Sequence, residues 1–188
     1  MKVMDFYAIN NYFKDGRKPF SLIKYDPKVA SKIRKGKSLA NEDNFEIRIN
    51  YNDEKLLVDF YDPGVPIVSE RLKNLLEQQF EKELFEFCGI NVFKSADPAN
   101  QKYYAFNILE NMDCFDKENS VYNTFEGSTV INSIAKLVLK EEMLSRRNIF
   151  RITPIRTAIF VNQKFKQAIE ENNITGLSFI SLGEFKII

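Results

Sequence analysis

A chain of 188 residues with 44% hydrophobic and 28% charged residues has the balance of a soluble globular protein and can bury roughly 70% of its unfolded surface. The complete lack of histidine excludes Ser-His and Cys-His nucleophile activation and any His-ligated zinc site. A net charge of +1 hides segregation: nine basic residues lie between Lys14 and Lys37 against Asp15 and Asp26, while Asn41 to Asp62 carries seven acidic residues against Arg48 and Lys55.

No apolar run approaches the roughly 18 residues a membrane-crossing helix needs, and the N-terminus lacks the order of a signal peptide, so a cytoplasmic protein is expected. Cys88 and Cys114 stand in apolar or mixed segments without CxxC spacing, which predicts buried free thiols.

Residues 3–9, VMDFYAI, read as a first strand. Residues 14–44 read as an irregular surface excursion with one turn of helix at most. Their basic side chains suit phosphate, so nucleic-acid binding through residues 14–37 stands as an alternative function, as does an intracellular scaffold. FEIRINY (45–51) alternates apolar and polar residues as a half-buried strand does, and LLVDF (56–60) is expected to pair with it as a hairpin. Asp62-Pro63-Gly64 is a turn, because proline presets one dihedral and glycine accepts positive φ.

Residues 66–87, PIVSERLKNLLEQQFEKELFEF, are matched at one constant spacing by residues 159–180, IFVNQKFKQAIEENNITGLSFI. Val68 falls on Val161, Ser69 on Asn162, Leu72 on Phe165, Lys73 on Lys166, Leu76 on Ile169 and Glu77 on Glu170. Both copies read as an apolar approach, a capping residue, an amphipathic helix and a strand. Leu72, Leu75, Leu76 and Phe80 form the buried stripe of the first helix, and Phe165, Ala168 and Ile169 that of the second.

LFEFCGINVF (84–93) reads as one strand with Gly89 as a bulge, Asp97 to Asn100 as a loop, and KYYAFNILE (102–110) as a strong strand. Asp113, Asp116, Glu118 and Ser120 lack the alternate spacing and glycine of a calcium loop, so turn and cap hydrogen bonding is the expected role. KLVLKEEML is expected to form a hairpin with NIFRIT (148–153), followed by a break at Pro154. Gly176 suits a left-handed residue before LSFISL and EFKII, the last strands. The expected fold is α+β, mainly antiparallel sheet with two short amphipathic helices in an internal quasi-repeat. One domain is expected over 1–188, with strands and loops in 1–65 and the repeated helix-strand units in 66–188.

Four blocks, PIVSERLKNLLE, YYAFNILENMDCFDKENS, NIFRI and VNQKFKQAIEENNITGLSF, together resemble the Imm11 family of immunity proteins, also described as the DUF1629 type, which accompanies bacterial polymorphic toxins. The resemblance spans about residues 66–180, with Val161-Asn162-Gln163 departing from the family's Val-Ser-Glu pattern at the second helix start. It implies a non-enzymatic protein that binds and neutralises a cognate toxin or effector domain, with no catalytic, metal or cofactor residue to carry over. Interfaces are anchored by exposed aromatic and Arg side chains, which makes Tyr122, Phe125 and Glu126 in the VYNTFEG segment the candidate contacts. No membrane partner is expected, and a homo-oligomer stays open.

Overall fold

The computed structural model describes residues 5–13, 16–40, 46–145 and 147–188. In chain order the elements are β1 (Phe6–Asn11), β2 (Leu22–Tyr25), α1 (Pro27–Arg34), β3 (Ile47–Tyr51), β4 (Phe60–Tyr61), β5 (Ile67–Ser69), α2 (Glu70–Gln79), β6 (Phe85–Gly89) and β7 (Asn91–Lys94). There follow β8 (Asp97–Pro98), β9 (Tyr103–Ile108), β10 (Asn111–Met112), β11 (Val121–Thr124), β12 (Ile131–Lys136), β13 (Ile149–Ile152), β14 (Ile155–Asn162), α3 (Gln163–Glu171) and β15 (Leu177–Ser181). The fold is α+β, with mostly antiparallel sheets. Among the described residues, no helix is long and apolar enough to cross a membrane.

The chain divides into two compact units, each assembled from separated segments. One comprises residues 11–109 and 172–177, the other residues 1–10, 110–171 and 178–188. In the first, a sheet ordered β2-β3-β7-β8 and a sheet ordered β4-β5-β9-β6 contribute to one core, with Ile47, Ile49, Tyr51, Ile67, Val92 and Ala105 buried in it. In the second, a sheet ordered β10-β13-β14-β1-β15 lies over a core that includes Phe6, Phe150, Ile152 and Phe160, joined by Phe115, Ile134 and Leu139.

Each unit contains the same module, and the expected quasi-repeat is its visible half. In the first unit β5 runs into α2, which is capped by Ser69 Oγ accepting from Leu72 N at 3.2 Å. In the second, β14 runs into α3, capped by Asn162 Oδ1 accepting from Phe165 N at 3.0 Å. Both caps satisfy an amide that a helix start leaves without an intrahelical partner. The two stripes are buried at the expected positions: Leu72, Leu75 and Leu76 in one, Phe165, Ala168 and Ile169 in the other.

The equivalence reaches a strand outside the expected repeat. In β9, Tyr103, Tyr104 and Ala105 lie opposite Ser69, Val68 and Ile67. In β1, Phe6, Tyr7 and Ala8 lie opposite Asn162, Val161 and Phe160. The first helical amide bonds the residue before that strand in both modules, Glu70 N to Lys102 O and Gln163 N to Asp5 O, each at 3.1 Å. The strand's tyrosine donates to the first helical side chain, Tyr104 to Glu70 Oε1 at 3.4 Å and Tyr7 to Gln163 Oε1 at 2.8 Å. Letters that read YYAFN in one copy and FYAIN in the other therefore do the same job. In one module this strand follows the helix in the chain, and in the other it precedes everything.

Several local expectations change. Residues 14–15 and 41–45 lie outside the described residues, but residues 16–40 are not irregular: they hold β2 and the two-turn helix α1. Asp26 caps α1 by accepting from Lys28 N at 2.8 Å, Pro27 follows in the first turn, and Val29, Ala30 and Ile33 are buried. Burying Val29 and Ile33 contributes about 2 kcal/mol each, enough to fold a segment whose charges obscure its apolar side. LLVDF does not pair with β3, which instead pairs antiparallel with β2 and parallel with β7. Asp53 turns the chain into a short 3-10 helix, Glu54–Leu56, so the segment leaves before a hairpin can form.

LFEFCGINVF is two strands in two sheets, β6 pairing β9 and β7 pairing β3. Gly89 keeps register opposite Tyr104 and is no bulge. Asp97 and Pro98 pair with Lys94 and Phe93 rather than forming a simple loop. KLVLKEEML does not meet NIFRIT. The preceding β12 pairs with β11, Leu139 bridges Phe115, and β13 pairs with β14 across Pro154. EFKII forms no strand: its sheet pairing is the single bridge from Ile187 to Ile134, while Phe185 is buried in the core.

The turn expectations hold, and so does that of a buried free thiol at Cys114, whereas Cys88 is free but only half-buried. Gly64 sits at φ +112 with its amide on Asp62 Oδ1 at 2.8 Å. Gly176 sits at φ +93, where a Cβ would come within 2.1 Å of Phe60 O. Cys88 and Cys114 are free, and burial pushes both thiols up to about 11.

Candidate interaction surface

The segment holding Tyr122, Phe125 and Glu126 is a hairpin formed by β11 and β12, anchored at its base and exposed at its tip. Before it, Asp116 accepts from Glu118 N and Asn119 N, each at 3.1 Å, and from Asn119 Nδ2 at 2.7 Å. The Asn119 bonds hold the Asp116 carboxyl below its usual range, and this is the turn chemistry expected of the acidic stretch. Ser120 Oγ then accepts from Val138 N at 2.9 Å and donates to Val138 O at 3.2 Å, tying the two legs together.

Tyr122 is half-buried, its ring edge-on to Phe115 with centroids 5.1 Å apart, so its body covers the core beneath the hairpin. Phe125 and Glu126 lie in the tip, which closes through Phe125 N to Val130 O at 3.1 Å and Ser128 N to Phe125 O at 3.0 Å. Phe125 is 54% exposed, and so are Val121 at 56% and Val130 at 59%. Val121 and Val130 were not among the expected contacts, because a lone valine, in strand β11 or in the turn before β12, carries no sign of whether it is exposed. The structure thus brings Phe125, Glu126 and Val130 to the exposed tip, and leaves Val121 and Tyr122 at its root.

The first unit carries a polar constellation that resembles chemistry more than it can perform. Asp59, 8% exposed, accepts from Ser69 Oγ at 2.7 Å, from Thr175 N and Oγ1 at 3.0 Å each, and from Arg71 Nη1 at 3.4 Å. Ser69 Oγ is at the same time the acceptor that caps α2, and Arg71 also donates to the carbonyls of Asn172 and Asn173. Every group is committed to holding residues 172–175 against β4, where Phe60 N also bonds Thr175 O at 3.0 Å. The second module has Asn148 in place of Asp59, accepting from Asn162 Nδ2 at 3.0 Å.

An open groove of about 810 Å³ in the same unit is walled by Phe13, Leu57, Val58 and Ile174, and the charges among its lining residues are Arg17 and Lys55. Among the described residues, its lining holds no carboxylate pair of the kind acid-base work uses. Among the described basic residues of the 14–37 segment, Lys24 lies in β2 and Lys28, Lys32 and Arg34 in α1, while Arg17, Lys18, Lys35 and Lys37 lie outside both; Lys24, Lys28, Lys35 and Lys37 are exposed.

The sequence model of a family described as Immunity protein family (Imm11) matches residues 17–184 of the chain. No curated protein sequence matches it.

Proposed function

The chain belongs to the Imm11 immunity protein family, and from that premise we propose that it binds a cognate bacterial toxin domain and neutralises it without catalysis of its own. In this reading residues 1–188 act as a single immunity-type domain in the cytoplasm of a cell that carries a polymorphic toxin system. Neutralisation requires only that the complex cover the toxin's working surface, and a standard interface buries about 1,600 Å² in total.

The observation that carries the reading beyond the family is the exposed tip of the β11-β12 hairpin. Phe125, whose amide bonds the carbonyl of the exposed Val130 and which is followed by Glu126, is an apolar anchor with a polar rim, the arrangement from which binding hot spots are built. Tyr122 fixes the arm's root through Phe115 while keeping a partly exposed edge.

The test is growth of cells expressing the toxin domain encoded beside this gene, with and without this protein, together with isolation of the complex. Rescue with a stable complex is expected, and Phe125→Ser should weaken binding by about tenfold or more. Near-normal binding after combined substitution of Tyr122, Phe125 and Glu126 would remove the hairpin from the interface. A toxic neighbour that is neither bound nor counteracted would sink the toxin reading.

A further inference from the structure

In the β2-β3-β7-β8 sheet, Ile23, Ile47, Ile49 and Val92 turn to the core, so the alternate residues form the opposite face. That face holds Lys24 directly opposite Arg48, then Asn91, with Asn50, Phe93 and Pro98 in the next row. It carries two cations and no carboxylate among these positions. Like charges directly opposite one another destabilise a sheet, and among the described residues neither member of this pair meets a carboxylate. Glu46, two residues before Arg48 and exposed, makes no ion pair with either.

Arg48 is also fixed in place. Its guanidinium lies 3.8 Å above the centre of the Phe93 ring, and its Nε donates to Asn50 Oδ1 at 3.1 Å. Asn50 is itself held by donating from Nδ2 to Ser95 O at 2.8 Å. Among the described residues, the two terminal nitrogens of Arg48 make no hydrogen bond, and the exposed Lys24 ammonium has no partner. A planar fork with its orientation already set is the geometry that takes a carboxylate in two parallel hydrogen bonds, at little further cost in side-chain freedom.

We propose that this face is a docking surface for an acidic segment of the toxin, with an Asp or Glu carboxylate seated on the Arg48 fork and Lys24 drawing the same negative surface in. The inference deepens the toxin-binding reading and rests on it. A protein carboxylate fits better than a nucleic acid, because single-strand binding uses open aromatic faces for base stacking, and the Phe93 face is already occupied by Arg48.

Wild-type protein and the variants R48E, R48K, K24E and K28E are titrated calorimetrically, at physiological salt, with the toxin domain encoded beside the gene and separately with a short single-stranded DNA. R48E should lose about 30-fold or more in affinity for the toxin domain, as expected when one partner of a desolvated charge pair is reversed. R48K keeps the charge without the fork and should lose about fivefold to tenfold, a loss a merely general charge effect would not produce. K24E should act chiefly by slowing association, and K28E, on the exposed side of α1, should change nothing. Circular dichroism checks that each variant folds, and if R48E does not, R48K and K24E still decide the matter. Toxin binding by R48K and K24E within about twofold of wild type, or an equal loss in K28E, would overturn the proposal while leaving the toxin reading intact. DNA binding by wild type that R48E abolishes would overturn it in favour of nucleic acid. Failure of the wild type itself to bind or protect overturns the toxin reading and this inference with it.

Discussion

The module around α2 and the module around α3 share a strand order, a cap, a buried stripe and a tyrosine bonded to the first helical residue, yet they differ in how their outer edge is closed. In the first, β4 is joined by residues 172–175 through the Asp59 cluster. In the second, β13 is joined in parallel by β10, with Arg151 N bonding Glu110 O and Thr153 N bonding Met112 O, both at 2.9 Å. One edge is held by a charge with four hydrogen bonds, the other by backbone pairing that needs no particular side chain. The shared frame is thus set by strand register and capping, and the difference lies in a single swap, Asp59 for Asn148.

That swap predicts the largest effect. Asp59→Ala removes the carboxylate that Ser69, Thr175 and Arg71 share and should cost about 3 kcal/mol, the range for breaking a buried, hydrogen-bonded charge. Asn148→Ala removes one half-buried amide contact and should cost about 1 kcal/mol. Urea unfolding of both variants measures the contrast, and equal losses would show that the two edges are held alike. The caps come next: Ser69→Ala and Asn162→Ala should each cost about 1 kcal/mol, with Ser69→Ala the greater because its hydroxyl also donates to the charged Asp59, where Asn162 donates to the neutral Asn148. If Asn162→Ala proves silent, the equivalence of the two caps fails.

Much of this frame is legible in the letters, and what is not has a physical reason. Ser69 with Leu72, Leu75 and Leu76, and Asn162 with Phe165, Ala168 and Ile169, announce themselves because helical period and capping are local properties. FYAIN and YYAFN both read as strands, but their equivalence passes unnoticed because strand pairing is nonlocal, and a strand that has moved from behind the helix to the front of the chain breaks the constant spacing by which the helices are matched. The parallel pairing of β3 with β7, across the 3-10 turn, β4, β5 and α2, leaves no trace in either strand. The reading of residues 14–44 as irregular missed α1 because Lys28, Lys32, Arg34 and Lys35 dilute the apolar side that Val29, Ala30 and Ile33 bury. At the candidate surface, exposure of Phe125 and the fixing of Arg48 by Phe93 depend on neighbours that only the folded chain supplies.

The finest comparison concerns Lys73 and Lys166, which occupy matching helix positions with the same two kinds of partner in different proportion. Lys73 Nζ is 2.7 Å from Glu77 Oε2 and lies 5.3 Å from the Tyr104 ring centre and 5.7 Å from that of Phe87. Lys166 Nζ is 4.0 Å from Glu170 Oε1 but only 4.2 Å from the Tyr7 ring centre, with Phe179 at 5.9 Å. The first is mainly an ion pair and the second mainly a cation over a ring. Replacing either by methionine keeps the apolar stem and should cost about 0.5 kcal/mol in dilute buffer. The two costs should part as salt rises, because mobile ions screen a partly exposed Lys-Glu pair and act less on an ammonium pressed against an aromatic face. In about 1 M salt, where the screening length falls to roughly 3 Å, the penalty of Lys73→Met should nearly vanish while that of Lys166→Met persists. Urea midpoints at low and high salt measure this, and parallel behaviour of the two variants would mean that the ring beneath Lys166 contributes no more than the rings beneath Lys73.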